Sequence, residues 1–361
     1  MRNWKFWLGL IISLFFLTIA LYGLNLHEFL HHLANAQYGW LIPAVCVYGV
    51  ATWIRSWRWQ LMLQPIRPVS IQRLFPLVTI GYMGNNIYPA RAGELLRSYV
   101  LRRKEGIAMS ASLATVILER LFDGLALLLF IGIALPSAPL PPELTGLALF
   151  LSMAFGVVLL VILAIVAQPK TLSSFSGWMI NRFVPERWRS PAQCMLNNVI
   201  TGLMALRKPS TIALIFGLSC LIWLVETCTY WFVMHAFALN IPFPVLMLMA
   251  AVVNLFTTIP STPGHIGVFD APGIFILTRA GLGQAIASSY VIVLHATLWL
   301  PITLLGAYYM LRESLSWQDI ERAAAIDIDA LETEPAATTS IPSRQDEGET
   351  EPTDAARSTA L

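Results

Sequence analysis

The sequence predicts an all-α membrane protein that crosses the bilayer several times. Of its 361 residues, 57% are hydrophobic and only 12% are charged, whereas about 25% of the residues in an ordinary soluble domain are charged. Six apolar stretches reach the roughly 20 residues that a helix needs to cross a ~30 Å hydrocarbon core. These observations argue against a soluble enzyme and predict six long transmembrane helices.

The six predicted spans follow one another along the chain with mostly short connections. They occupy residues 6–24, 40–62, 112–135, 144–167, 212–239 and 284–311. Arg2 and Lys5 precede the first span, as in a signal peptide, but its apolar run is long for one and has no small-residue cleavage pattern. We therefore expect the first span to remain as a membrane anchor.

Two further apolar stretches, residues 74–101 and 244–281, are interrupted at their centres. Each has an apolar leg, an Asn and a Pro, a P-x-x-x-G motif and a second leg. Lipid offers no hydrogen bonds to unwound backbone, so both interruptions must lie in protein or water. The sequence therefore predicts two broken helical hairpins, which either re-enter the membrane or span it.

The hairpins divide the chain into two similar halves. Residues 1–136 and 144–312 each contain three predicted spans, with one hairpin between the second and the third. Because an odd number of crossings inverts the second half, the pattern predicts an inverted repeat, which is typical of transporters with discontinuous helices. We expect one membrane domain over residues 1–312.

The distribution of charge predicts the orientation of this domain. Residues 25–39, 136–143 and 240–243 contain no Lys or Arg, and cytoplasmic loops are the ones enriched in these residues. We therefore expect both termini to lie in the cytoplasm. The predicted location of the protein is the inner membrane of a bacterial cell. The bases counted as cytoplasmic are Arg55, Arg58, Arg67, Arg73, Arg97, Arg102, Arg103, Lys104 and those between residues 170 and 208.

Residues 313–361 differ sharply from the rest of the chain. They carry 12 of the 21 acidic residues and only 3 of the 23 basic ones, and they contain few large apolar residues. Such a composition cannot bury enough apolar surface to order the chain. We expect an acidic, mostly disordered cytoplasmic tail.

Several ionisable residues lie inside the predicted spans, where burial is expensive and a polar partner or cavity is expected. Glu119, Arg120 and Asp123 are spaced to share one helix face, either as a structural ion network or as a gate. Glu226 lies at the centre of the fifth span. It is interpreted either as a proton carrier or as a carboxyl group that is hydrogen-bonded to a neighbouring helix. His295 in the sixth span is assigned to the same charge network or gate; it is interpreted as a packed, hydrogen-bonded histidine, with a proton relay as the alternative.

The two hairpin tips form the candidate substrate-binding site. Helix N-termini favour a phosphate group, and Arg91 is placed beside the first break, where we expect it to contact a lipid headgroup. Glu94 and Asp270 either join this site or compensate the helix dipoles. The other residues assigned to the site are Asn86, Pro89, Gly93, Asn254, Pro263, Gly264, His265 and Gly267.

His27, Glu28 and His31 form an H-E-x-x-H pattern. On a helix this spacing is typical of zinc proteases, with Glu as the general base. The segment is a short external loop without an evident third ligand, so a surface helix is favoured over a metal site. The four cysteines stand singly, and no phosphate-binding G-x-x-x-x-G-K-[ST] motif occurs. We predict no metal, no cofactor and no nucleic-acid partner.

Residues 85–130 carry the patterns P-x-R-x-G-E-x-x-R, L-x-R-x-x-G-I and E-R-x-x-D, and residues 261–271 read STPGHIGVFDA. Together they resemble the lysylphosphatidylglycerol synthase transmembrane-region family, over about residues 1–311. The resemblance implies a lipid-handling domain. In the multiple peptide resistance factor proteins the comparable domain is a flippase for aminoacylated phosphatidylglycerol, attached to a soluble aminoacyl-transferase domain.

The chain departs from the family pattern at three positions. His265 replaces a Gly, Asp270 replaces a Glu, and His295 stands where the family often has Arg. We expect a standalone member without the synthase domain, and other standalone members resemble transporters of polyprenoid lipids or accessories of lipid-linked sugar synthesis. The headgroup preference of relatives is therefore not assumed for this chain.

The function predicted from the sequence is that of a lipid translocator and not of an enzyme. It would move a phospholipid or a polyprenoid-type lipid between leaflets. The alternative is a non-transporting scaffold for an envelope enzyme of lipid or glycan synthesis, with the acidic tail as its docking segment. A zinc metalloprotease is the remote third hypothesis.

Overall fold

The fold is helical throughout the part of the chain that can be described. The computed structural model describes residues 4–88, 92–136, 186–203, 206, 208–259 and 261–313, with a few isolated positions between 146 and 182, and no strand occurs among them. This confirms the all-α prediction. The α-helices are α1 (Trp4–Leu21), α2 (Leu26–Ala34), α3 (Leu41–Leu63), α4 (Ile71–Ile87), α5 (Ala92–Glu105), α6 (Met109–Ala134), α7 (Glu186–Leu203), α8 (Pro209–Ala236), α9 (Phe243–Phe256), α10 (Asp270–Arg279) and α11 (Gln284–Arg312), with 3₁₀ turns at Tyr38–Trp40 and Pro263–His265.

Two of the described helices, α8 and α11, are long and apolar enough to cross a membrane. The bent pair α1 and α2, which meet at 88°, would add a third if it forms one span. Helices α3 and α6 have 23 and 26 residues but carry ionisable side chains within their length. The predicted span at residues 144–167 lies almost entirely outside the described residues, so six spans remain a prediction.

Helices α4 and α5 form the first hairpin, with antiparallel legs packed backbone to backbone. Gly81 lies against Arg97, whereas Gly84 and Asn85 lie against Gly93. The Asn85 side chain accepts a hydrogen bond from the backbone N–H of Gly93 at 3.0 Å. Small residues permit this close approach between helices. The connection at residues 89–91 lies outside the described residues.

Helices α9 and α10 form the second hairpin. The tip between them contains three residues with positive φ: Gly264 at 72°, His265 at 57° and Gly267 at 82°. A side chain at Gly264 would meet the indole of Trp299 on α11, and one at Gly267 would meet the backbone of Ser13 on α1. The absence of side chains at these two glycines therefore allows the tip to pack between α1 and α11.

The contacts between helices are reciprocal in the two halves. Helix α6 of the first half packs against α9 of the second hairpin, and α11 of the second half packs against α4 of the first hairpin. Helix α3 of the first half and helix α8 of the second half pack along each other. This arrangement brings both hairpins to the middle of the helix bundle.

Three bases that the sequence assigned to cytoplasmic loops lie elsewhere. Arg55 and Arg58 are inside α3, Arg97 is inside α5, and all three side chains are buried. Counting them as loop charges was wrong, because a buried carboxylate partner compensates each one. The orientation prediction now depends on the other bases, such as Arg67 and Arg102.

Candidate functional site

A polar cavity of about 120 Å³ lies where the two hairpins meet. Asn85 and Asn86 at the end of α4 face it from one side, and Asn254 on α9 faces it with the second tip from the other. Residues from α3, α4, α6, α8 and α11, together with Thr257 and residues of the second tip, complete the wall. These wall residues are Tyr48, Arg55, Tyr82, Arg120, Asp123, Trp223, Glu226, Thr257, Gly264, His265, Phe269, His295, Leu298 and Trp299.

Asp123 is held in the wall by hydrogen bonds from two other helices. Arg58 on α3 donates to it twice, at 2.5 and 3.2 Å, and also donates to the Ser219 hydroxyl at 2.6 Å. The indole N–H of Trp223 on α8 donates to the same carboxylate at 3.2 Å. Because the Arg58 side chain is only 1% exposed, this ion pair joins α3, α6 and α8 deep inside the bundle.

Arg55 lies one turn before Arg58 and pairs with Glu226 on α8. Its guanidinium is 5.6 Å from the centre of the Tyr82 ring and 5.3 Å from that of Trp223, both within the range of cation–π attraction. The second terminal nitrogen, Nη1, is buried without a hydrogen-bond partner among the described residues. Arg55 therefore lines the cavity with one terminal nitrogen paired to Glu226 and the other without a hydrogen-bond partner in that part of the chain.

Glu119 and Arg120, which adjoin on α6, pair with different residues of α5. Glu119 accepts from Arg97, whose guanidinium also lies 4.7 Å from the centre of the Trp59 ring. Arg120 lies 3.3 Å from Glu94 and 4.0 Å from Asp123, and its side chain is 35% exposed. The three ionisable residues of α6 that were predicted to form a network therefore have their nearest charged partners on other helices. Asp123 pairs with α3, and Glu119 and Arg120 pair with α5.

His295 connects α11 to the second tip. Its Nδ1 lies 2.9 Å from the Asp270 carboxylate and its Nε2 lies 2.7 Å from the carbonyl oxygen of Gly264. The other oxygen of Asp270 accepts from the backbone N–H of Gly267 at 2.8 Å. Asp270, at the N-terminus of α10, therefore closes the tip and joins it to His295.

Asn86 and Asn254, the two hairpin asparagines assigned to the site from the sequence, are both anchored by their amides. Asn86 donates to the Thr303 hydroxyl on α11 at 2.7 Å. Asn254 donates to the backbone oxygen of Ala250 at 2.8 Å and lies 3.4 Å from the Tyr230 hydroxyl. Their positions at the cavity are thus fixed by hydrogen bonds to the bundle.

Two apolar clefts adjoin the polar cavity and share wall residues with it. The first, of about 470 Å³, lies along α6, α8 and α9 and shares Arg120, Asp123 and Asn254. The second, of about 350 Å³, lies along α1, α10 and α11 and shares Gly264, His295 and Trp299. A charged and hydrogen-bonding chamber is therefore flanked on two sides by hydrocarbon-lined space.

Of the sixteen residues predicted for the substrate site or the buried charge network, the structure places eight in the cavity wall, and Glu119 lies outside the wall, paired with Arg97. Gly93, Glu94, Pro263, Gly267 and Asp270 lie in the hairpins but not in the cavity wall, and Pro89 and Arg91 lie outside the described residues. Those in the wall are Asn86, Arg120, Asp123, Glu226, Asn254, Gly264, His265 and His295.

The sequence interpretation missed Arg55 and Arg58. They occur at i and i+3 before the end of a long apolar run, a pattern that places two charges on one helix face. Their spacing was the available signal, but both were counted as loop residues.

The H-E-x-x-H segment forms α2, which has no buried residue. The Asn25 side chain caps its N-terminus, and His31 lies 3.1 Å from the Asn35 amide. Within the described ranges no group of three or more His, Cys, Asp or Glu side chains is placed to hold a metal ion. The surface-helix interpretation matches this geometry.

Comparison with known proteins connects this architecture to a family. The family model described as the lysylphosphatidylglycerol synthase TM region matches residues 6–306, which include both hairpins and the cavity. No solved structure matches the chain.

The relatives found include several membrane proteins of archaea. A UPF0104 membrane protein of Methanocaldococcus jannaschii is 27% identical over 236 residues, covering 64% of this chain and 95% of the relative. One from Methanothermobacter thermautotrophicus is 25% identical over 280 residues, covering 72% of this chain and 81% of the relative. The glycosyltransferase AglD of Haloferax volcanii is 23% identical over 319 residues, and the match spans 80% of this chain but only 51% of that protein.

Proposed function

Because the chain belongs to the lysylphosphatidylglycerol synthase transmembrane-region family, we propose that it is an integral membrane lipid translocator. The proposed substrate is a phospholipid or a polyprenoid-type lipid. The observation that carries the proposal is the polar cavity with an apolar cleft on either side. That combination suits an amphiphile, whose headgroup and hydrocarbon chains need opposite surroundings.

The headgroup would enter the cavity between Arg55 and Arg120. Arg55 lines the cavity and has a buried Nη1 without a hydrogen-bond partner among the described residues, and the partly exposed Arg120 faces both the cavity and the cleft along α6. Arginine is well suited to phosphate because its planar fork donates two parallel hydrogen bonds. The hydrocarbon chains would stay in the cleft along α6, α8 and α9.

Neighbouring acidic side chains would limit the loss of stability caused by the buried charge of these arginines when no substrate is bound. Glu226 and Glu94 pair with Arg55 and Arg120, and a buried guanidinium without a partner would be strongly destabilising. In the proposed cycle the phosphate of the lipid binds the two arginines in place of part of their contacts with the acids. The arginines pair with the acids again when the lipid leaves. Arg91, expected at the first tip, would add a further donor.

The proposal includes six membrane spans and an inverted repeat of residues 1–136 and 144–312. The reciprocal packing of α6 on α9 and of α11 on α4 supports such a repeat, since symmetric halves would exchange these contacts. The proposed location is a cell's cytoplasmic membrane with both termini in the cytoplasm. A cavity between inverted halves can open towards either leaflet.

Native mass spectrometry of the protein purified in mild detergent tests whether the cavity holds lipid. The wild type should retain a lipid with a phosphate-containing headgroup. Asn254→Trp places an indole at the junction between cavity and cleft and should abolish retention, whereas Leu221→Trp on the exposed face of α8 should not. Equal retention by both variants would contradict lipid binding in this cavity.

A second candidate function is an accessory role in glycan or lipid synthesis. The observation that favours it is the similarity to AglD, which is named a glycosyltransferase and is matched over about half of its length. A scaffold that docks its enzyme through the acidic tail should lose its effect when residues 313–361 are deleted. A translocator should keep its lipid transfer after the same deletion.

A further inference from the structure

His295 has hydrogen-bond acceptors at both ring nitrogens. Asp270 offers a carboxylate oxygen to Nδ1 at 2.9 Å, and Gly264 offers a carbonyl oxygen to Nε2 at 2.7 Å. A neutral imidazole has one donor and one acceptor, whereas an imidazolium has two donors. Only the protonated ring therefore makes both hydrogen bonds while Asp270 is ionised.

A second contact also suits a cation at this position. The Phe269 ring lies 4.4 Å from the His295 ring, centre to centre, with 31° between the planes. An aromatic face attracts a positive charge within about 6 Å. Asp270 is itself buried, and it accepts a hydrogen bond from the N–H of Gly267; a positive charge on His295 would compensate an ionised Asp270.

The His295 ring joins the tip of the second hairpin to α11. Gly264 lies at the start of the tip and Asp270 at its end, so His295 bridges the two ends of the loop. His295, Gly264 and Trp299 form the wall shared by the polar cavity and the cleft along α1, α10 and α11. Releasing this contact would connect the two spaces.

We propose that His295 and Asp270 form a proton-binding site that closes this wall. With the proton bound, His295 donates to both ends of the tip and the cavity is separated from the cleft. Loss of the proton leaves one ring nitrogen with its lone pair facing an acceptor, so one hydrogen bond is lost and the tip is released. The proton is thereby the coupling ion of the lipid site, a step that rests on the proposed function.

Other ionisable groups face His295 across the cavity, but most of the charged ones are already paired with each other. Arg55 pairs with Glu226, and Asp123 pairs with Arg58 and lies near Arg120. Helix α1 contributes only apolar residues to the adjoining cleft. Histidine is the side chain that ordinarily titrates near neutral pH, so His265 is the competing candidate. The facing groups are Tyr48 and Arg55 on α3, Tyr82 on α4, Arg120 and Asp123 on α6, Glu226 on α8, His265 in the tip and Asp270 on α10.

Nitrogen-15 NMR of the full-length protein in micelles, with labelled histidine, tests the proton directly. The chain has six histidines, and the His295 signal is identified by its loss in His295→Gln. We expect His295 to carry protons on both nitrogens at the pH values where the tip is closed. A single protonated nitrogen under those conditions would overturn the proposal.

Hydrogen exchange of residues 263–270, corrected for the intrinsic pH dependence of exchange, tests the closure. In the wild type, protection should fall about tenfold when His295 loses its proton, because a charge-assisted hydrogen bond is lost. His295→Arg should stay protected at every pH, and His295→Gln should exchange fast at every pH. His265→Asn and His235→Gln, as matched controls, should keep the wild-type pH dependence.

Wild-type protection that does not change with pH would contradict the site, and so would a pH dependence removed by His265→Asn. Neither measurement depends on lipid movement. Failure of lipid transfer with intact pH-dependent protection would overturn the proposed function and leave the proton site supported.

Discussion

Arg58 donates two hydrogen bonds to Asp123, from Nη1 to Oδ1 at 2.5 Å and from Nη2 to Oδ2 at 3.2 Å. This two-pronged geometry is the strongest form of a carboxylate–guanidinium contact. Both side chains are buried, and Ser219 and Trp223 provide further hydrogen bonds from α8. The pair therefore fixes the relative positions of three helices, and Asp123 depends on Arg58 more than on its helix neighbour Arg120.

The first prediction follows from this pair. Arg58→Ala and Asp123→Ala should each destabilise the protein by about 3 to 5 kcal/mol, because each leaves an uncompensated buried charge. The double variant should lose less than the sum of the two. Thermal unfolding in detergent, monitored for all four proteins of the cycle, measures this coupling.

The exposed pair of Arg189 and Glu186 on α7 is the control for that cycle. Its nitrogen and oxygen lie 3.5 Å apart, and the Glu186 side chain is 89% exposed. A pair of this kind contributes about 0 to 1 kcal/mol. Additive losses for Arg58 and Asp123, like those expected for the control, would show that the two residues are not energetically coupled.

The second prediction concerns the first hairpin. A Cβ at Gly93 would overlap the carbonyl oxygen of Gly81 and lie 2.6 Å from the backbone nitrogen of Asn85. Gly93→Ala should therefore separate α4 from α5 and sharply reduce the yield of folded protein. Size-exclusion chromatography of the solubilised protein measures that yield.

Gly132→Ala on α6 is the matched control, since a Cβ there meets no atom within 4 Å. Replacing a helical glycine by alanine at an open position stabilises a helix by roughly 0.5 to 1 kcal/mol. Equal yields for Gly93→Ala and Gly132→Ala would be incompatible with the packed hairpin.

The third prediction concerns backbone strain at the second tip. His265 has a φ of 57°, in a region that L-residues other than glycine rarely adopt. His265→Gly should raise the free energy of unfolding by up to about 1 kcal/mol. Ala238→Gly, at the other non-glycine residue with a positive φ (50°) within the described part of the chain, should give a similar gain far from the cavity. Loss of stability in His265→Gly together with a gain in Ala238→Gly would mean that the histidine side chain holds the tip.

The fourth prediction assigns a role to the unpaired end of Arg55. Arg55→Lys keeps the charge beside Glu226 but loses the second terminal nitrogen. It should fold like the wild type and transfer lipid about tenfold more slowly per folded molecule. Arg97→Lys makes the same chemical change in a buried pair outside the cavity wall and should transfer normally. Equal rates for both variants would remove Arg55 from the headgroup site.

The helical class, the two broken hairpins and eight of the seventeen residues of the cavity wall were predictable from the sequence. Apolar length indicates helices, and an Asn or Pro within an apolar stretch marks a break that lipid cannot accommodate. Glu119, Arg120 and Asp123 were identified because a charged side chain within a membrane span requires a polar partner or a cavity. Their spacing on one helix was visible without any structure.

The partners of those charges were not predictable. Asp123 contacts Arg58 across 65 positions in the chain, and Arg55 contacts Glu226 across 171. Such pairs depend on how helices pack and on which face each side chain occupies, and a single sequence carries neither. The same limit explains why two buried arginines on α3 were mistaken for loop charges.

Transfer of lipid between leaflets by the purified protein is the most direct test of the central claim. Vesicles containing the wild type and a headgroup-labelled phosphatidylglycerol, or a labelled polyprenyl phosphate, are treated with a membrane-impermeant quencher. The account predicts that label from the inner leaflet of at least one of these lipids becomes accessible, and that Asn254→Trp prevents this. Inner-leaflet label of both lipids that stays as protected as in protein-free vesicles, with folded wild type present, would contradict the account.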